Sequence, residues 1–125
     1  MLQSYEGLMT YLENKPAVTS DFPFGLDTRV FRVGNKIFGL MSWDQDPIRI
    51  SLKAEPTEAV ILRQTYPAVT PGYHLNKQHW NTLVCDGSVP DDEVRHLIDE
   101  SYRLVLAGLP KDIHSEIMMN LKGKS

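Results

Sequence analysis

The chain carries a single cysteine, Cys85, among its 125 residues. One thiol excludes an internal disulfide and any CxxC metal or redox motif, which leaves Cys85 as a small apolar strand residue. Long hydrophobic runs are missing as well. No window approaches the roughly 18 apolar residues that a membrane span needs, and Met1-Leu2-Gln3-Ser4-Tyr5-Glu6 lacks the basic and apolar regions of a secretory signal. The expectation is a cytoplasmic protein without a membrane partner. An excess of positive charge is also absent: 13 Lys+Arg stand against 16 Asp+Glu, a net charge of −3. The pI near 5.7 contrasts with the value above about 9 usual for domains held to nucleic acid by phosphate contacts. This counts against strong nonspecific DNA binding, although an acidic total can conceal a local basic face. No internal repeat and no low-complexity segment interrupts the chain.

What is present is ordinary globular material. Hydrophobic residues at 42% and charged ones at 23% exclude disorder and fibrous repeats. Residues 1–125 therefore form a single domain, long enough to build a core without staples. Ser4 caps a first helix over 5–14, with Tyr5, Leu8, Met9 and Leu12 on one stripe, and Pro16 ends it. Residues 17–27 read as a loop pinned by Phe22 and Phe24 in the core. Three strands follow, Arg29 to Val33, Lys36 to Trp43 and Pro47 to Lys53. Gly34-Asn35 suits a tight hairpin turn with positive φ, and Asp44-Gln45-Asp46 makes a looser one.

In the third strand Ile48, Ile50 and Leu52 alternate with Arg49, Ser51 and Lys53, the pattern of a sheet with one packed and one open face. Arg32, Lys36, Arg49 and Lys53 thus gather on one region, as a basic surface or as solvated charges. A second helix starts at Pro56 and runs to Gln64. Gly72 to Asn76 is an edge strand, Lys77-Gln78-His79 a connection, and residues 80–86 the last main strand. Ser88 with Asp91 resembles a capping box for a third helix over 89–108, striped by Val94, Leu97, Ile98, Tyr102, Val105 and Leu109. Beyond Lys111 lies either a short last helix or a loosely ordered tail, 111–125. The class is α+β.

The densest chemistry lies in Pro71-Gly72-Tyr73-His74-Leu75-Asn76-Lys77-Gln78-His79-Trp80-Asn81-Thr82. His74 and His79 are five apart with no Asp, Glu or Cys between them, so the stretch holds no self-contained metal site. Neither Ser88 nor Cys85 sits in a nucleophile elbow, and phosphate cradles are absent. No enzyme activity, cofactor or metal is expected. His74, Asn76, Lys77, His79 and Asn81 beside Tyr73 and Trp80 do form a set of hydrogen-bonding groups suited to phosphates, base edges or a polar protein. Equally, the two rings can be core anchors and the polar groups can satisfy turn backbone. Asp91-Asp92-Glu93 is what the helix dipole favours in a first turn. Were the sheet to bind nucleic acid, this acidic third helix would have to face away from it.

Together Val33-Gly34-Asn35-Lys36-Ile37-Phe38, Ser51-Leu52-Lys53 with Pro56, the Pro71 to Thr82 block, Asp86-Gly87-Ser88-Val89-Pro90 and Ser101-Tyr102-Arg103-Leu104-Val105 resemble the MmcQ/YjbR family. These small bacterial proteins are described as having a double-wing, frataxin-like (CyaY-like) fold and are labelled DNA-binding. The resemblance implies an antiparallel sheet packed against helices on one face, with two hairpin wings. It carries over Lys36, Lys53, His74, Asn76, Lys77, His79 and Trp80 as the candidate surface. The leading expectation is a DNA-binding or regulatory module in which Arg32, Lys36, Lys53 and Lys77 meet phosphate. Two alternatives stand beside it: a protein- or small-ligand-interaction module using the 71–82 surface, and metal binding by the acidic third helix.

Overall fold

The structure, a computed structural model, describes residues 1–42, 46–72 and 75–123, and side chains through Met119. Its elements are α1 (Tyr5–Glu13), β1 (Val18–Asp21), β2 (Thr28–Val33), β3 (Lys36–Ser42), β4 (Arg49–Lys53), α2 (Pro56–Thr65), β5 (Val69–Pro71), β6 (Trp80–Val84), α3 (Asp91–Ala107) and α4 (Lys111–Gly123). The strands form one six-stranded sheet in the order β1-β2-β3-β4-β6-β5, with every neighbouring pair antiparallel. The α+β class is therefore as expected, but two elements are new. Residues 18–21 are an edge strand rather than loop. The other edge strand is Val69–Pro71; of the expected strand at 72–76, Gly72, Leu75 and Asn76 are not in a strand and residues 73 and 74 lie outside the described residues. The looser turn at 44–46 lies mostly outside the described residues.

Cross-strand pairs share a face, so the ladder sorts the side chains. Gly39 opposes Leu52 and Met41 opposes Ile50; Ile50 opposes Leu83 and Leu52 opposes Asn81. This face is the packed one. A Cβ at Gly39 would stand 3.2 Å from Leu12 Cδ2, so α1 crosses the sheet here and the missing side chain lets it approach. Asn81 donates to the Ala59 carbonyl of α2 at 3.2 Å, and Phe38 meets Tyr102 of α3 edge to face at 5.4 Å. All three helices thus lie on one side. α4 continues that layer past the β2–β3 hairpin, where Leu109 and Ile113 approach Gly34 and Ile117 is buried. Lys111–Gly123 is thus a helix, docked through Ile113 and Ile117.

Sequence logic explains the joints. Ser4 accepts the Gly7 N–H at 3.1 Å and caps α1. Gly34 and Asn35 have φ of 56° and 66°, the left-handed pair that a two-residue hairpin requires. On β3, Phe38 is an extra residue opposite the Phe31–Arg32 step, because Gly39 pairs with Phe31 and Ile37 with Arg32. The bulge turns the Phe38 ring onto α3. Ser88 does not cap α3: its hydroxyl and its N–H both bond Asp86 Oδ1 (2.6 and 2.9 Å), and the residue before the helix is Pro90. Nor are the two loop aromatics core plugs. Phe24 is 66% exposed and Phe22 36%, the latter under the Arg29 guanidinium at 5.1 Å.

Candidate functional site

The unpacked face of the sheet carries the residues that alternate with the core. Trp80 opposes Lys53, Thr82 opposes Ser51 and Val84 opposes Arg49, with Ser51 and Thr82 hydroxyls bonded at 2.9 Å. At one end of this face β3 and β4 part. Their pairing stops at Gly39 and Leu52, and beyond it the Ser101 hydroxyl of α3 bridges the two strands. It accepts the Lys53 N–H at 2.8 Å and donates to the Phe38 carbonyl at 2.5 Å.

Where the strands part lies a groove of about 490 Å³ lined by Arg32, Lys36, Ile37, Lys53 and Trp80, with Leu104 and Val105 of α3 on its far wall. Three cations and an aromatic ring, drawn from four strands, meet there, and none of the described lining residues is acidic. Arg32 is held by Asp21 at 3.3 Å, whereas Lys36 is exposed and Lys53 half-buried. α3 borders the groove directly, through the apolar residues Leu104 and Val105 of its C-terminal half. Its acidic first turn, Asp91 to Glu93, belongs to the opposite end of the helix.

Asn76, Lys77 and His79 are not among the residues that line this groove. Asn76 organises the turn into β6: its Oδ1 accepts the Gln78 N–H at 2.9 Å, and its carbonyl accepts the N–H groups of His79 and Trp80 at 3.1 and 2.9 Å. The His79 carbonyl accepts the Ala54 N–H at 2.8 Å, and the Lys77 carbonyl accepts from Arg63 at 3.4 Å. These three residues support the local backbone, and they are absent from the groove lining. His74 and Tyr73 fall outside the described residues. Sequence reading missed Ile37, Leu104 and Val105, which look like ordinary core positions.

For metal or thiol chemistry the described residues offer little. No group of three or more His, Cys, Asp or Glu among them is placed to share a metal ion, on α3 or elsewhere. Burial, reinforced by the Asp86 charge, pushes the Cys85 thiol up to about 12, so at neutral pH it stays protonated and unreactive. Native protein treated with iodoacetamide at pH 8 is accordingly expected to remain unmodified by mass, while the urea-unfolded chain alkylates within minutes. Rapid native alkylation would contradict this burial. No helix among the described residues is long and apolar enough to cross a membrane.

Comparison with known proteins agrees with this architecture. The YjbR family profile matches residues 13–104, from the end of α1 to the groove-lining part of α3. A protein of Escherichia coli O157:H7, "Uncharacterized protein YbdF", is 38% identical over 96 residues, 77% of this chain and 79% of its own length. "Uncharacterized protein YjbR" of Escherichia coli strain K12 is 32% identical over 105 residues, 84% of this chain and 89% of its own. Among solved structures, the Deinococcus radiodurans protein DR2400, with a DUF419 domain, superposes with a TM-score of 0.87 at 38% identity, over 93% of this chain and 88% of that one. The shared sheet, helical layer and sequence run across nearly the whole fold, and the chain belongs to the YjbR family.

Proposed function

We propose that the protein is a nucleic-acid-binding module that takes a short single-stranded segment in the Arg32–Lys36–Lys53–Trp80 groove. The observation that carries this reading is the meeting of three cations and a tryptophan in one concave surface with no described carboxylate in its lining. Single-strand binding needs cations that follow phosphates and an aromatic face on which a base stacks. Leu104 and Val105 opposite Trp80 give the groove apolar surface against which an unstacked base can rest. The acidic total restrains nonspecific affinity, so binding is modest and strongly dependent on salt.

The test is fluorescence anisotropy of a labelled ten-nucleotide oligo(dT) between 20 and 200 mM NaCl. Three phosphate contacts at about 0.7 counterions each give a log–log salt slope near −2. The Lys36→Ala, Lys53→Ala double variant is expected to flatten the slope to below about 1, and Trp80→Ala to cost about 1–3 kcal/mol of affinity. Lys77→Ala, outside the groove, leaves affinity within a factor of two. An absence of binding to both single-stranded and duplex DNA at 20 mM salt sinks the proposal. Equal losses from Lys77→Ala and Lys53→Ala would move the site to the 71–82 turn.

A further inference from the structure

A second concavity opens on the packed face of the sheet between α2 and α3, with Lys53 and Leu104 shared between it and the basic groove. Its volume is about 300 Å³, and Leu52, Leu62, Leu83, Leu97 and Leu104 give it apolar walls. Asn81 belongs to the lining. The β6 alternation places this residue inward with Leu83, opposite Leu52, and it is only 6% exposed. Its Nδ2 is satisfied by the Ala59 carbonyl, which fixes the orientation of the amide. The Oδ1 that remains is buried and has no hydrogen-bond partner among the described residues. A buried carbonyl left in that state costs free energy that a donor from a bound molecule would recover.

The mouth has a definite charge. Glu55, Glu58 and Glu100 line it together with His96 and Lys53. Arg103 bonds Glu100 at 2.8 Å and reaches Glu55 at 3.7 Å, and its hydrogen bond holds the Glu100 carboxyl below the ordinary carboxylate range. Glu58 pairs with no cation among the described residues. Three carboxylates therefore face two cations. Apolar walls, one convergent acceptor and a small volume are the usual make-up of a small-molecule site, and the sign of the mouth selects a positive ligand.

We propose that this cavity binds a small amphipathic amine, with a hydroxyl or N–H at its far end donating to Asn81 Oδ1, its apolar body between the leucines, and its ammonium at the Glu58 side of the mouth. A single ring that carries a hydroxyl and a short amine arm combines these three features. Lys36 and Trp80 do not line this cavity, whereas Lys53 and Leu104 border both concavities.

The experiment is an amide-shift titration of the full chain, uniformly ¹⁵N-labelled, with tyramine as the probe. Tyramine is expected to shift the Asn81 side-chain NH₂ signals and the backbone amides of Glu58 and Leu97 in a saturable manner. Phenethylamine, which lacks the hydroxyl, is expected to bind at least threefold more weakly. So is 4-ethylphenol, which lacks the charge, and 3-(4-hydroxyphenyl)propionate, with the charge reversed, is expected to bind at least tenfold more weakly. Glu58→Gln alters only an exposed side chain and should weaken tyramine about threefold without moving the remaining amide spectrum. Asn81→Leu should abolish the preference for tyramine over phenethylamine. The proposal is overturned if tyramine produces no saturable shift at Asn81 up to 10 mM, the result expected if water alone serves Oδ1. It is equally overturned if the propionate binds as tightly as tyramine.

Discussion

Replacing Ser101 with alanine is expected to lower the unfolding free energy by about 3 kcal/mol in a urea titration, with the slope of the transition unchanged. Few serines in a small domain are worth that much. Ser101 is fully buried, and its single hydroxyl does the work of a missing rung in the sheet. It accepts from Lys53 N–H and donates to the Phe38 carbonyl, the two groups that would otherwise face each other unpaired where β3 and β4 part. Alanine supplies neither partner. Two backbone groups would then be stranded away from water, at about 1–3 kcal/mol each before local relaxation. Ser88→Ala is the control, since that hydroxyl only meets exposed Asp86 and its loss should stay within about 0.5 kcal/mol. Because Lys53 is one of the groove cations, the same substitution should also speed amide exchange at Lys53 and reduce oligo(dT) binding. If Ser101→Ala unfolds at the wild-type midpoint, the bridge is not structural.

The fold was legible wherever local chemistry and burial agree. Gly34-Asn35 has few alternatives to a positive-φ turn, the stripe Val94, Leu97, Ile98, Tyr102 and Val105 has one way to face a core, and the β4 alternation declares its two faces. β1 was illegible because an edge strand buries little: Val-Thr-Ser-Asp has one apolar residue and a polar exterior, so it is held by ladder bonds to β2 rather than by its own hydrophobic pattern. Ser88 was misread because a serine beside an aspartate has a local partner that competes with capping. The groove is a different case. Arg32, Lys36, Lys53 and Trp80 were all singled out, but their convergence depends on pairing between strands far apart in the chain. That Asn76, Lys77 and His79, which share the sequence motif with Trp80, are not among the lining residues arises only from the turn geometry. Asn81 had a visible signal: it alternates with Leu83 in a strand whose neighbours Trp80 and Thr82 face outward, which predicts a buried amide.

Phe38→Ala is expected to cost about 4 kcal/mol, and Phe24→Ala less than about 0.5, although composition treats the two rings alike. Phe38 is fully buried and packs edge to face on Tyr102, whose hydroxyl in turn donates to the Pro16 carbonyl at 2.7 Å. Truncating the ring leaves a cavity beneath α3 that Tyr102 cannot fill without giving up that hydrogen bond. Phe24 has no comparable enclosure. The bulge also makes Phe38 the residue that sets the register from Ile37 to the hairpin, because its inward ring accounts for the extra residue opposite Phe31–Arg32. Losing the ring therefore removes the packing that holds the shift in place. Hydrogen exchange should accelerate at Ile37 and Arg32 while β6 and β5, at the far side of the sheet, stay protected. Equal destabilisation by the two substitutions in urea would show that the α3–β3 packing is not where this domain keeps its stability. Uniform exchange across all six strands in Phe38→Ala would show that the bulge and the groove it frames unfold only with the whole.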